Sequence, residues 1–199
     1  TVHASQPLAP SDWEALWAPY DGDTYRAALA FLEPGDTVLD IGAGDLRFAR
    51  RAAPHVARIY AVERNPEILA RSTRKHPPNL LAVCADALVW PFPEGLTAAV
   101  LLMRHCRHFR EYLVRLRAAG CRRLITNARW GMGVECLPLE PQAPFAAAPA
   151  GWYACACGAV GFKAGPPEEL STGTLAATHS VEDCPDCLKA VSMQSWSRR

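Results

Sequence analysis

Three acids at regular intervals are the residues most able to do chemistry. Asp40 ends the apolar run TVLDI and is followed by Gly42 and Gly44. Two glycines there let the backbone turn tightly and approach a ligand without side-chain obstruction. Glu63 closes a second apolar run, nineteen residues beyond Gly44, and an acid at that place can accept both hydroxyls of a ribose. Asp86, followed by Ala87, closes a third, where a carboxylate can take an amino-group hydrogen bond from a base edge. Together the three ends predict one nucleoside lying across one edge of a sheet.

A second cluster is sulfur. The chain has eight cysteines, and four of them form the short pairs Cys155-x-Cys157 and Cys184-Pro-Asp-Cys187, separated by 26 residues. Paired thiols on tight knuckles suit tetrahedral coordination of a structural zinc. The stretch between them, broken by Gly158, Gly161, Gly165 and Gly173, has too little apolar material for a core of its own. The first pair encloses one residue where a ribbon knuckle has two, which leaves a disulfide pair or simple buried thiols as the competing readings. Cys84, Cys106, Cys121 and Cys136 are expected to pack as small apolar residues. A third group, Met103-Arg-His-Cys-Arg-His-Phe109, offers His105 and His108 as bases near neutrality and Arg104 and Arg107 as anion contacts. The competing reading is a polar loop with one histidine capping the following helix.

The elements that must position these groups alternate. Strands are expected over residues 37–41, 59–62, 80–84, 98–103 and 122–126. Helices are expected over 46–53, from Asn65-Pro66 to about 75, and over 109–118. Ahead of them, residues 11–32 read as helix, break at Pro19 to Gly22, then a helix starting at Asp23 or Thr24. The alternation predicts an α/β fold, a Rossmann-like, mostly parallel sheet with helices on both faces. The boundaries expected are a cofactor domain over 1–136, a Pro/Ala-rich linker over 137–151, and a small four-cysteine module over 152–199. Strand-like pieces are expected at 159–164 and 174–179.

In this arrangement Asp40-x-Gly42-x-Gly44, Glu63 and Asp86 resemble successive motifs of class I S-adenosylmethionine-dependent methyltransferases. The resemblance covers residues 20 to 130. It implies that the Asp40–Gly44 loop lines the methionine part of the cofactor, Glu63 holds the ribose, and Asp86 with Ala87 meets the adenine. A third glycine is common in that family two residues after Gly44, where this chain has Leu46. Tyr20 and Tyr25 are similar to the family's upstream region and would cover the methionine end; packing on a helix hairpin is the alternative. The Asn/Asp-Pro-Pro-aromatic tetrapeptide of enzymes that methylate amino groups of adenine or glutamine is missing. Arg129, Trp130 and Gly131 are secondary candidates for lining the pocket.

The formal charge of +1 hides an uneven distribution: residues 37–130 hold sixteen bases against seven acids. A basic middle attracts an anionic partner, though arginines also simply decorate solvated helix faces. With the cysteine module, it favours a macromolecular acceptor, RNA or protein. The alternatives are a small-molecule methyltransferase and a non-catalytic module binding through the zinc region. No stretch approaches the roughly 18 consecutive apolar residues of a membrane helix, and the first ten residues lack a signal-peptide pattern. The expectation is a cytoplasmic protein with no membrane partner, its oligomeric state open.

Overall fold

The computed structural model describes residues 19–72, 75–129, 131 and 133–187. The helix expected over 11–18, and the candidate Trp130, lie outside the described residues. The order is α1 (Gly22–Leu29), β1 (Thr37–Ile41), α2 (Arg47–Ala52), β2 (Arg58–Glu63), α3 (Pro66–Leu69), β3 (Leu80–Cys84), β4 (Ala98–Leu101), α4 (Phe109–Ala118) and β5 (Arg123–Thr126). Then follow β6 (Glu135–Pro138), β7 (Gly151–Cys155), β8 (Val160–Lys163), α5 (Thr172–Ala176) and β9 (Thr178–Val181).

The first six strands form one sheet in the order β3-β2-β1-β4-β5-β6. The first five are mutually parallel. Alternation along each strand feeds two cores. Val38, Ile59, Val100 and Ile125 face α1 and α2 through Tyr25, Ala28, Phe48 and Ala52. Leu39, Val62, Leu101 and Leu124 face α4 through Phe109, Leu113 and Leu116. Strands buried on both faces read as continuous apolar runs, which is why β1 and β4 stand out in the sequence. Strand order reverses between β1 and β4, so the crevice beyond their carboxyl ends is where such sheets bind ligands.

Several boundaries differ from expectation, each with a cause. Helix α1 begins two residues early because Asp21, not Asp23, takes the cap, accepting from the Thr24 N–H at 2.7 Å. Helix α3 starts at the expected Asn65 cap but ends at Leu69. Beyond it the Arg71 and Ser72 N–H groups close turns onto Ile68 and Leu69, and Arg50 donates to Ser72 Oγ at 2.7 Å and to the Lys75 carbonyl at 3.1 Å. Strand β4 stops at Leu101, which leaves Leu102 and Met103 to the loop.

The segment expected as a linker joins the sheet. Glu135–Pro138 pairs antiparallel with β5, Leu124 opposite Leu137, and Leu137 and Leu139 are buried. The boundary expected at 136/137 therefore falls inside a strand. Pro138 is tolerated because β6 is the outer strand of the sheet. Residues 141–148 are tied down as well: the Phe145 N–H donates to Asp183, and Lys163 Nζ donates to the carbonyls of Phe145, Ala146 and Ala148.

Strands β7–β9 make a second sheet in the order β8-β7-β9. The expected strand over 174–179 is a helix, α5, followed by β9; Ser171 caps α5 by accepting from the Thr174 N–H. Among the described residues, no helix is long and apolar enough to cross a membrane.

Candidate active site and thiol cluster

Asp40 is fully buried at the end of β1, and its Oδ2 has no hydrogen-bond partner among the described residues. Burial, with the Glu63 charge adding to it, pushes its carboxyl up to about 7. A buried carboxylate with an unfilled acceptor suits a cationic ligand group, which would supply the missing donor. Gly42 follows at φ +72°, a backbone conformation that favours glycine, and a Cβ there would lie 2.9 Å from the Met103 Cε and displace that side chain.

The Glu63 carboxylate, also buried, accepts the Gly44 N–H at 2.9 Å and the Asn65 N–H at 2.8 Å. It braces the glycine turn from the neighbouring strand while keeping lone pairs for a diol. Asp86 is exposed after β3; its Oδ1 accepts the Leu88 N–H, and Ala87 beside it is buried. The orphaned acid, the glycine cradle and the two strand-end acceptors fit the methionine, ribose and adenine parts of S-adenosylmethionine in that order.

Leu46 stands in the left-handed region at φ 64°, where glycine is the ordinary choice, yet its side chain is fully buried in the core against α2. The position where the family commonly has a third glycine thus carries a leucine in left-handed backbone.

Tyr20 and Tyr25 meet above this loop: the Tyr25 hydroxyl accepts the Tyr20 N–H at 3.2 Å, and the Tyr25 ring packs on Phe48. Burial raises the Tyr25 hydroxyl above its ordinary range, partly offset by the Tyr20 hydrogen bond. The Tyr20 hydroxyl accepts the Arg104 N–H at 2.9 Å, and the Arg104 guanidinium lies 5.3 Å from the centre of the Tyr20 ring. The hairpin before β1 is thereby fastened to the loop after β4, across the switch point.

That loop carries both candidate bases. His105 is exposed at φ 60°. His108 occupies the N-cap position of α4 but makes no side-chain cap bond, and its Nδ1 lies 3.7 Å from Glu111. Neither imidazole hydrogen-bonds to Asp40 or Glu63 among the described residues. The sequence did not single out Met103 as a loop contact or Asn127, a fully buried amide after β5 with no partner on either amide atom among the described residues. Nothing local marks either one, because both depend on packing between strands.

Arg129 does not line the pocket. Its side chain is 2% exposed, forks onto Glu135 with two 2.9 Å contacts, and donates to the Ala154 carbonyl at 3.1 Å. It fastens the second sheet to the first. Arg117 does the same from α4 through Glu182, whose carboxylate is held below its ordinary range by that hydrogen bond.

Cys155, Cys157, Cys184 and Cys187 converge, all four sulfurs within 4.8 Å of one another. Three of the separations are 3.7–3.8 Å. An ion with metal–sulfur bonds of about 2.3 Å at the centre of a tetrahedron sets its sulfurs about 3.8 Å apart. The set can hold such a metal ion as it stands. Backbone N–H groups of Cys157 and Ala159 point at the sulfurs of Cys155 and Cys157, as thiolates require. Burial pushes the Cys155 and Cys157 thiols up, the latter to about 11. Burial also acts on Cys187, but hydrogen bonds from the other three outweigh it and hold that thiol down. Of the remaining cysteines, Cys121 is buried and Cys106 and Cys136 half-buried, but Cys84 is exposed and packs in no core.

Residues 38–126 match the family model described as "Methyltransferase domain". With the parallel sheet and the three strand-end motifs, this makes the segment a class I S-adenosylmethionine-dependent methyltransferase domain. Among solved structures the chain is similar to precorrin 8W decarboxylase of Methanobacterium thermoautotrophicum, at 21% identity and a TM-score of 0.48, over 60% of this chain and 71% of that one. It is similar to N-methyltransferase NodS of Bradyrhizobium japonicum, at 17% identity and a TM-score of 0.45, over 57% and 72% of the two chains. It is also similar to phosphoethanolamine N-methyltransferase 1 of Haemonchus contortus, at 20% and 0.45, over 53% and 25%. The chain spans about half or less of the length of several other matched structures. No curated protein sequence matches it.

Proposed function

We propose that the protein transfers the methyl group of S-adenosylmethionine to a macromolecular acceptor, RNA or protein, and that the four thiols hold a structural zinc. When bound, the cofactor supplies a methyl group on a positively charged sulfur. Asp40, Gly42 and Gly44 would hold its methionine end, with Tyr20 and Tyr25 as cover, Glu63 its ribose, and Asp86 with Ala87 its adenine. His105 and His108 are the groups available to take a proton from the acceptor as it is methylated.

The observation that carries the macromolecular reading is the seat of the thiol knuckle. Gly158, at φ +95°, lies against the Phe109 ring, where an added Cβ would come within 3.4 Å of Cδ1. The knuckle therefore borders the first turn of α4, directly after the His105–His108 loop. A closed four-thiolate site has no open position for chemistry. At the rim of the acceptor edge, its surface extends the contact area beyond what a small acceptor needs.

Calorimetric titration with S-adenosylmethionine and its demethylated product tests the reading first. Micromolar binding of both is expected, lost when Asp40 and Glu63 are replaced by alanine. Labelled methyl groups should then enter RNA or protein fractions; label confined to metabolites would overturn the macromolecular acceptor. No binding by a folded, metal-loaded sample would overturn the enzyme reading.

A further inference from the structure

A second groove of about 580 Å³ runs along the outer face of α4 and is not needed to hold the cofactor. It is lined by Leu88, His108, Arg110, Glu111, Val114 and Arg115. Leu88, in its lining, stands two residues beyond Asp86. His108, also in the lining, adjoins the loop that carries the exposed Arg104 and Arg107. Its lining thus includes one residue close in sequence to Asp86 and one at the His105–His108 loop.

Its chemistry is mixed in a particular way. Arg110 is exposed, with no ion pair among the described residues. Arg115 donates to the Trp90 carbonyl at 2.6 Å, lies 4.6 Å over the Phe92 ring, and keeps a buried Nε without a partner among the described residues. Glu111 is the single acid in the lining, and it faces His108. Between the two arginines Val114 is 57% exposed, and Val89, next to Leu88, is 76% exposed. Apolar side chains left in water beside arginines match a ligand that alternates flat faces with anionic groups.

We propose that this groove binds single-stranded RNA flanking the methylated position, with Arg110 on a phosphate and Val114 and Leu88 against bases. This rests on the macromolecular reading above and selects RNA within it. Arginine supplies both bidentate phosphate contacts and a planar surface on which bases stack. An acidic peptide without apolar side chains would use the cations but leave Val114 uncovered.

Fluorescence anisotropy of the full, metal-loaded chain decides the matter, using a labelled single-stranded RNA 12-mer of mixed sequence and an acidic peptide of equal charge. RNA binding should weaken steeply between about 50 and 200 mM salt, as counterion release demands. Arg110→Glu and Val114→Glu, both at exposed positions, should each lower RNA affinity by roughly tenfold, and Arg110→Glu should also flatten the salt slope. Calorimetric affinity for S-adenosylmethionine should not change in either variant. RNA affinity unaffected by both substitutions would overturn the proposal, as would no RNA binding at low salt. Peptide binding as tight as RNA binding, and lost in the same variants, would overturn RNA in favour of a protein acceptor. Because the readout is binding, failure here leaves the methyl-transfer test standing, and failure there is visible separately as lost cofactor binding.

Discussion

The negative charge of Glu63, at the end of β2, bears on the buried carboxyl of Asp40 at the end of β1, and with burial lifts that carboxyl to about 7. The unfolded chain releases the same proton near 3.9. Between these values the folded state holds a proton that the unfolded state has lost, so stability falls as pH rises through that window and levels off above about 7. Asp40→Asn should remove this slope and make the ligand-free protein more stable than the parent at pH 8, while weakening cofactor binding. Thermal melts of both proteins at several pH values between 5.5 and 8 check this; parallel curves would show that Asp40 does not titrate there.

Leu46 sets two effects against each other. Its left-handed backbone costs about 1–2 kcal/mol, whereas removing a fully buried leucine side chain costs about 2–5 kcal/mol. Leu46→Gly should therefore destabilise the protein, by up to about 4 kcal/mol, although it restores the family's usual glycine. A denaturant titration showing a gain in stability would mean that backbone strain dominates.

Arg129 is the buried cross-link between the two sheets. Arg129→Met leaves Glu135 and the Ala154 carbonyl without this donor; because Glu135 is 29% exposed and can take up water, the cost falls below that of a fully buried pair, at about 1–3 kcal/mol. The loss should be local: hydrogen exchange should quicken first in β7 and β9, before the parallel strands β1 and β4. Uniform quickening would show that the two sheets unfold together.

The thiol cluster predicts one metal equivalent per chain, found by elemental analysis of protein purified without added metal. Cys184→Ser should abolish it and lower the melting temperature, and a chelator should do the same to the parent protein. A stable parent chain free of metal would overturn the zinc reading.

The alternating strands, the three acids and the four thiols were legible in the sequence because each is written in local spacing. An apolar run ending at Asp40 or Glu63 is a buried parallel strand whatever surrounds it, and closely spaced cysteines announce a knuckle. The shortened α3 was not legible, since the segment beyond it is tied to Arg50, which comes from another helix. Nor was β6, because the prolines and alanines around Leu137 read as linker until β5 offers an edge to pair with.

The sequence by itself therefore determined which groups are available and which strand ends present them. Tertiary structure decided how they are used: it buried Asp40 against Glu63, turned Arg129 from a pocket candidate into a clamp, and set Gly158 on the Phe109 ring. The physical reason is that residue type and periodicity are carried by neighbours along the chain. Desolvation, charge coupling and close backbone approach arise only between segments that folding brings together.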